Sequence, residues 1–187
     1  MRIFRPLLFV LLLSLVAILL AGCPAQNPGD NNSPKQDFPQ AAEIDKEITL
    51  YFSDQQAQFL VGEKRTVKLA SDDAQTVAQA VINELIAGPQ QANLVKTVPP
   101  EAKLLSLSIE NKLATVDFSP ELKTKHWGGS TGETMTILSI VNSLTELPEI
   151  EAVQFLIEGQ KADSLAGHWD ISAPISRDES IIAKEKQ

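Results

Sequence analysis

Alternating apolar and polar side chains predict the strands of this chain. Ile48, Leu50 and Phe52 alternate with Thr49 and Tyr51, which is the period of a half-buried strand. The same alternation appears on both sides of a predicted turn at Asn111-Lys112 and near the end of the chain. The further strands are predicted at 65–69, 105–109, 114–118 and 153–157, with one or two short strands possible after them.

Two segments have apolar residues at helical spacing. The first follows Ser71-Asp72-Asp73, whose side chains can cap a helix, and it ends at Gly88-Pro89. The second begins at Ser130, has Glu133 three residues later in a capping-box pattern, and closes at Pro148. Each helix is too short to be stable alone and has a single apolar stripe, so both must pack on a sheet.

The order of these elements predicts the fold class. Strand, strand, helix, strand, strand, helix, strand is expected to form an α+β domain. We predict a two-layer sandwich in which one mixed or antiparallel sheet has both helices packed on one face. The domain is expected to span residues 47–177 and to be followed by a charged tail over 178–187.

The N-terminal segment has the pattern of an export signal. Arg2 and Arg5 precede an apolar run over 7–20 that is interrupted only by Ser14. The run is shorter than the ~20 apolar residues that span a bilayer. Residues 1–22 are therefore predicted to be a signal peptide.

The end of this run resembles the lipobox of bacterial lipoproteins. It reads Leu20-Ala21-Gly22-Cys23, and Cys23 is the one cysteine of the chain. The resemblance implies cleavage between Gly22 and Cys23 and lipid on Cys23, with a membrane as the first partner. Because one acyl chain binds a membrane only marginally, the anchor needs the two or three chains such lipoproteins carry. The alternative is a single-pass membrane anchor with an incidental cysteine.

Residues 23–46 have a different composition, rich in proline, asparagine and glycine and almost free of large apolar groups. Such a stretch buries too little surface to offset its ordering entropy. We predict a flexible tether between the lipid and the domain, so that the protein is held on the extracytoplasmic face of the membrane.

Charge narrows the class of partner. The chain holds 16 basic and 24 acidic side chains, and both basic residues of the predicted signal peptide are lost on cleavage. The exported part then carries a net charge of −10. A strongly acidic domain is repelled by phosphate backbones, which excludes nucleic acid as a partner. Other envelope proteins, or self-association, are the expected partners.

Several motifs follow one another along the chain. They are Ile48-Thr49-Leu50-Tyr51-Phe52, Arg65-Thr66-Val67, Leu85-Ile86-Ala87-Gly88-Pro89, Val98-Pro99-Pro100-Glu101, Ala114-Thr115-Val116-Asp117-Phe118-Ser119, Ser143-Leu144-Thr145-Glu146-Leu147-Pro148, Val153-Gln154-Phe155-Leu156-Ile157-Glu158-Gly159 and Arg177. Their order and spacing resemble the GerMN domain of the sporulation and spore germination family. The resemblance covers roughly residues 47–177 and implies an α/β module of exported lipoproteins, which occurs twice in tandem in the founding members and once here.

A repeated dipeptide is the main candidate for a binding site. His126-Trp127 and His168-Trp169 contain every histidine and tryptophan of the chain. The two pairs could form one ligand pocket, or the indoles could fill gaps in loops with their N–H groups bonded to backbone. A metal site is disfavoured, since zinc needs three or four ligands and no local ligand spacing is present. No metal and no cofactor are expected.

A catalytic site is not expected either. Asp117 and Ser119 end a strand, and Ser119 as a nucleophile would need a base such as His126 within hydrogen-bond reach. An acid followed by Ser-Pro is a common turn former instead. The sequence therefore predicts a non-enzymatic, lipid-anchored interaction or assembly module of the cell envelope. The alternative is a ligand-binding lipoprotein whose pocket contains both His-Trp pairs.

Overall fold

The structure is a computed structural model that describes residues 43–184. The predicted signal peptide, the cleavage site at Gly22 and Cys23, and the predicted tether up to residue 42 lie outside the described residues. The elements, in chain order, are β1 Ile44–Asp54, β2 Leu60–Leu69, α1 Ala74–Ala87, β3 Leu94–Val95, β4 Leu104–Glu110, β5 Leu113–Phe118, α2 Glu121–Thr124, α3 Ser130–Leu144, β6 Ala152–Ile157, β7 Gln160–Lys161, β8 Ile175–Ser176 and a 3₁₀ turn Glu179–Ile181.

The strands form two sheets. Sheet A has the order β2-β1-β3, with β1 antiparallel to both neighbours. Sheet B has the order β4-β5-β6-β7, and β8 also pairs with β6. Strands β5 and β6 are parallel, whereas the other pairs are antiparallel. The prediction of an α+β domain is confirmed, but the prediction of a single sheet is wrong.

Helices, rather than backbone pairing, join the two sheets. Helix α1 packs against β1, β2 and β4, and helix α3 packs against β1, β6 and β8. Most of their apolar residues and those of both sheets form one large buried cluster, which includes Phe52, Ile82, Phe118, Ile140 and Phe155. A smaller cluster consists of Tyr51, Leu60, Met135 and Leu138. Both helices therefore contact both sheets.

Helix α3 is buried on every side along most of its length. From Met135 to Leu144 every residue is buried, including Thr136, Ser139 and Asn142. The prediction of a helix with one apolar stripe is therefore wrong for α3. Buried hydroxyl and amide groups require hydrogen-bond partners, and the backbone of other segments supplies them here.

One of those partners is strand β1. Ser143 Oγ accepts a hydrogen bond from the Tyr51 N–H at 2.9 Å, and Ser139 Oγ donates one to the Tyr51 carbonyl at 2.5 Å. The two serines are four residues apart and so lie on the same face of α3. They satisfy backbone groups of β1 that point away from β2, at the edge where another strand could pair. At Tyr51 the hydroxyls of α3 therefore take the place that a neighbouring strand would otherwise fill.

Both predicted ends of helix α1 are confirmed. Asp73 caps the helix, and its carboxylate accepts a bond from the Thr76 N–H at 2.9 Å. These bonds lower the pKa of Asp73 to about 2. Gly88 ends the helix at φ 93°, a conformation that disfavours other residues.

The segment after residue 177 continues to form hydrogen bonds with the rest of the domain. Asp178 exchanges two backbone–side-chain hydrogen bonds with Asn142, and the Ala183 N–H donates to the Leu60 carbonyl at 2.8 Å. The chain therefore contacts the domain as far as Ala183, beyond its predicted end at residue 177. Among residues 43–184, no helix is both long and apolar enough to cross a bilayer.

Candidate functional site: the loops at the start of helix α3

A buried carboxylate organises the start of helix α3. Glu133 is fully buried and accepts hydrogen bonds from the N–H groups of Leu165, Ala166 and His168 at 2.8–2.9 Å. Burial alone would raise the pKa of Glu133, but these bonds and the His168 side chain outweigh it, so the pKa lies below its usual range. Glu133 is therefore an ionised acceptor that fixes the loop before β8.

This role differs from the predicted one. A capping-box glutamate would bond the N-cap backbone, but the N-cap of α3 is Gly129, which has no side chain to complete the box. The prediction of Glu133 as a capping residue is wrong. The loop it holds lies more than 30 residues later in the chain, and no local pattern indicates that contact.

The first His-Trp pair lies against the opening turns of α3. His126 and Trp127 are stacked with ring centroids 5.3 Å apart, and the indole contacts Gly132 so closely that a Cβ there would lie 3.0 Å from it. His126 Nδ1 accepts the Gly128 N–H at 2.9 Å, so the neutral ring donates from Nε2 to Thr136 Oγ1 at 3.0 Å.

The surroundings of His126 favour its neutral form and use both of its ring nitrogens in hydrogen bonds to the protein. Burial lowers its pKa, although the Glu133 charge opposes the shift. Its bonds to Gly128 and Thr136 use both ring nitrogens, and Thr136 passes a bond on to the Thr97 carbonyl at 2.5 Å. Trp127, by contrast, is 51% exposed. The imidazole therefore fixes the loop, whereas the indole presents a surface to solvent.

The second pair, His168-Trp169, lies in the loop that Glu133 holds. His168 Nδ1 lies 3.3 Å from Glu133 Oε2, and half of its side chain is exposed. Trp169 is half-buried and packs against the edges of the core clusters. A cleft of about 370 Å³ opens here, lined by Asp163, Ser164, His168, Trp169, Asp170 and Ser172.

Both pairs lie at the start of α3, and only the second lines this cleft. His126 binds Thr136 and contacts Gly132, while His168 binds Glu133. The cleft beside Trp169 is lined by residues of the 163–172 loop. Within residues 43–184, no group of three His, Cys, Asp or Glu side chains could hold a metal ion.

Asp117 and Ser119 are placed as structural groups. Asp117 Oδ1 accepts the Gly159 N–H at 2.9 Å, and Ser119 Oγ accepts the Lys103 N–H at 3.0 Å. His126 bonds to Gly128 and Thr136 and makes no hydrogen bond to Ser119. The pair that could suggest a nucleophile instead ties β5 to two loops.

Two clusters of charged side chains are not predicted by the sequence patterns. Arg65 and Glu63 are both buried and form an ion pair, and Arg65 also binds Glu84 at 2.5 Å and the Gly88 carbonyl at 3.0 Å. Glu63 in turn accepts the Gln91 N–H at 2.9 Å. A buried charge must be paired, and Arg65 and Glu63 meet this requirement for each other. The bonds from Arg65 to Glu84 and Gly88 also connect strand β2 with the end of α1. The only signal in the sequence is an arginine between strand residues.

The second cluster holds the C-terminal segment. Arg177 binds Glu146 Oε1 at 2.7 Å and the Asn142 carbonyl at 2.9 Å, and its guanidinium lies 5.4 Å from the centre of the Tyr51 ring. Tyr51 Oη donates to the same Glu146 oxygen at 2.8 Å. Burial and then Glu146 raise the pKa of Tyr51, although Arg177 opposes them.

Arg65, Asp117, Ser119, Glu146 and Arg177, which make these contacts, all belong to the motifs that resemble the GerMN domain. Comparison with protein families shows which family the chain belongs to. The family described as "Germane: Sporulation and spore germination" matches residues 49–163, more than half of the chain. The chain therefore belongs to the Germane family, whose domain is also called GerMN. No curated protein sequence is significantly similar to this chain.

Solved structures agree with this assignment. A Clostridium perfringens protein assigned as a lipoprotein is 30% identical, with a TM-score of 0.53 over 72% of this chain and 89% of that one. The first GerMN domain of the sporulation protein GerM from Bacillus subtilis is 21% identical, with a TM-score of 0.54 over 71% and 98%. The tandem GerMN domains of the same protein give 21% and 0.59 over 81% and 51%. This chain therefore spans about half the length of that tandem structure.

Proposed function

We propose that this chain is a lipid-anchored GerMN-domain protein of the bacterial envelope, held by Cys23 on the extracytoplasmic face of the membrane, where it acts as a non-enzymatic interaction module. The family description connects such domains with sporulation and spore germination. The Leu20-Ala21-Gly22-Cys23 boundary and the relative assigned as a lipoprotein support the anchor.

The interaction role depends on one observation above all, the exposure of Trp127. A large indole that is 51% exposed leaves apolar surface uncovered at a fixed position. Tryptophan is enriched among the residues that dominate protein interfaces. Stacking on His126 and contact with Gly132 hold the ring in place before any partner arrives, which lowers the entropy lost on binding.

The use of the polar side chains supports a non-enzymatic role. Glu133, Asp117 and Ser119 each accept bonds from backbone N–H groups of distant segments. Glu63 and Arg65 neutralise each other in the interior. Side chains committed to such bonds stabilise the fold and are not poised to attack a substrate.

A photo-crosslinking amino acid at position 127 of the full-length protein, in its native cells, tests the interaction. We expect a discrete crosslinked species, because a partner covers this indole. Phe59 is the matched control position, an aromatic residue that is 44% exposed elsewhere. Equal crosslinking from positions 59 and 127, or none from 127, contradicts the proposal. Differently tagged copies distinguish self-association from another partner.

The anchor is tested separately with Cys23→Ser. The variant should lose labelled fatty acid and should leave the membrane fraction or accumulate as precursor. Fatty acid that still labels the Cys23→Ser protein excludes Cys23 as the lipidated residue.

Ligand binding is a second candidate function, and the cleft beside His168 and Trp169 favours it. Only one of the two His-Trp pairs lines that cleft. The binding site would therefore be smaller than the pocket expected from the repeated dipeptide.

A further inference from the structure

The cleft in the 163–172 loop is a shallow depression that is open to solvent. Its volume of about 370 Å³ lies within the ~300–1,000 Å³ typical of ligand pockets. Glu133 holds the loop through three backbone N–H groups, and the Ile171 N–H closes it onto the Asp163 carbonyl at 2.9 Å. Ile171 is itself fully buried, and its carbonyl accepts from Gln154 Nε2 at 3.2 Å. The loop is thus held at both ends before any ligand binds.

Glu133 also determines what His168 can offer to a ligand. An ionised carboxylate only accepts hydrogen bonds, so the His168 nitrogen facing it, Nδ1, carries the proton. In the neutral ring, Nε2 is then an acceptor. No hydrogen bond from Nε2 is formed within residues 43–184, and the side chain is 48% exposed. Nε2 therefore presents an oriented polar group to the cleft, an acceptor in the neutral ring and a donor in the protonated one.

The other lining groups define the complementary ligand. Asp163 and Asp170 place two carboxylates at the cleft, which disfavours phosphate and other anions. Ser164 Oγ accepts the Gly167 N–H at 2.9 Å and keeps its own O–H for a ligand, whereas Asp170 bonds both the N–H and the hydroxyl of Ser172. Trp169 supplies an apolar aromatic surface fixed against the core. A compatible ligand must bring several hydroxyl donors, some acceptors and an apolar face.

We propose that this cleft binds a neutral saccharide. Sugar hydroxyl groups both donate and accept, so they match the Asp163 carboxylate, the Ser164 hydroxyl and His168 Nε2 together. The C–H face of a pyranose ring matches the indole of Trp169. An ammonium group is the competing ligand, but it only donates and leaves the Ser164 donor unused. This inference deepens the second candidate function and requires neither the anchor at Cys23 nor a partner at Trp127.

Fluorescence of Trp169 provides the test, because the chain has two tryptophans. Full-length protein carrying Trp127→Phe, in detergent micelles, is titrated with triacetylchitotriose and with cellotriose. At least one of these neutral saccharides should change the Trp169 emission saturably. Tetramethylammonium chloride and sodium phosphate serve as the cationic and anionic probes and should have no saturable effect. Because position 127 is already altered, failure here does not bear on the interaction proposed for Trp127.

Asp163→Asn in the same background identifies the site, since it removes charge without changing shape. It should raise the saccharide Kd about tenfold while leaving the urea unfolding midpoint unchanged. Asp45→Asn is the matched control, because Asp45 is an exposed aspartate on β1, and its Kd should equal that of the background protein. The proposal is overturned if neither saccharide gives saturable binding, if tetramethylammonium binds instead, or if Asp163→Asn leaves the Kd unchanged.

Discussion

The hydroxyl of Ser143 accepts a hydrogen bond from the backbone N–H of Tyr51, across 92 positions of sequence. Together with Ser139, it allows a helix to satisfy the edge of strand β1. A strand edge is usually covered by another strand, and an uncovered one invites unwanted pairing. Here two turns of α3 perform that task within the core.

Ser143→Ala tests this contact. Loss of the hydroxyl leaves the Tyr51 N–H buried without a partner, which should lower the free energy of unfolding by about 1–3 kcal/mol. Urea denaturation measures the change. Ser108→Ala, on the exposed face of β4, is the control and should stay within about 0.5 kcal/mol. Equal effects of the two substitutions would show that the Tyr51 N–H bond contributes nothing.

Glu133→Gln should destabilise the loop before β8. The amide can place only one oxygen toward donors, so its NH₂ group must face the N–H groups of residues 165–168. We expect a loss of about 1–3 kcal/mol at neutral pH, from buried donors left unsatisfied. Faster amide exchange at Leu165 and His168 is the local measurement. Unchanged exchange there contradicts the assigned role.

The contribution of Glu133 should also depend on pH. Its pKa in the folded protein is lower than the usual 4.5, so the ionised form is stabilised by folding. That contribution is fully present above the unfolded pKa and is lost as the pH falls through the folded one. The difference in unfolding free energy between the wild type and Glu133→Gln should therefore shrink below about pH 4.5. A difference that grows as the pH falls contradicts the sign of the shift.

Arg177→Ala should detach the C-terminal segment before it unfolds the domain. The substitution removes bonds to Glu146 and to the Asn142 carbonyl, and hydrogen bonds to charged groups contribute about 1.5–3 kcal/mol when shielded. Arg177 is 25% exposed, so the loss should lie near the lower value. Hydrogen exchange at Ser180 and Ile182 should accelerate first. Glu151→Gln, which breaks the exposed pair with Lys112, is the control and should leave both amides protected.

The two tryptophans should differ in their contribution to stability. Trp127→Ala should cost less than about 1 kcal/mol, because half of the ring is already in solvent. Trp169→Ala should cost about 2 kcal/mol, less than the ~3–5 kcal/mol of a fully buried aromatic, because Trp169 is half-buried against the core. Thermal unfolding of both variants checks the order. A larger loss from Trp127→Ala would indicate that its ring packs more tightly than its exposure suggests.

Sequence patterns predict the parts of this fold that depend on neighbouring residues. The alternation around Tyr51, the hairpin at Asn111-Lys112 and the helix ends at Asp73 and Gly88 all appear in the structure. The turn has positive φ at both central residues, as a two-residue hairpin requires.

The missed features are long-range ones. Ser139 and Ser143 look like solvent-facing residues in a helical pattern, since a hydroxyl that binds distant backbone has the same sequence signal as one that binds water. Glu133 likewise matches a capping-box pattern, although its carboxylate binds backbone N–H groups more than 30 residues later in the chain. No local pattern distinguishes two sheets from one either. Which of the two His-Trp pairs lines the cleft also depends on loops that meet only after folding.

The position of β1 at the beginning of the domain affects the order in which the chain can fold. The chain emerges N-terminus first, so β1 and β2 appear together and can pair at once, but an isolated two-stranded hairpin is only marginally stable. The residues that complete β1, Ser139 and Ser143, emerge about ninety positions later, and Arg177, which binds Tyr51 Oη, lies 126 positions away. The nascent domain must therefore wait for almost its last residue, and a chain that stops before Arg177 loses cooperativity rather than a dispensable end.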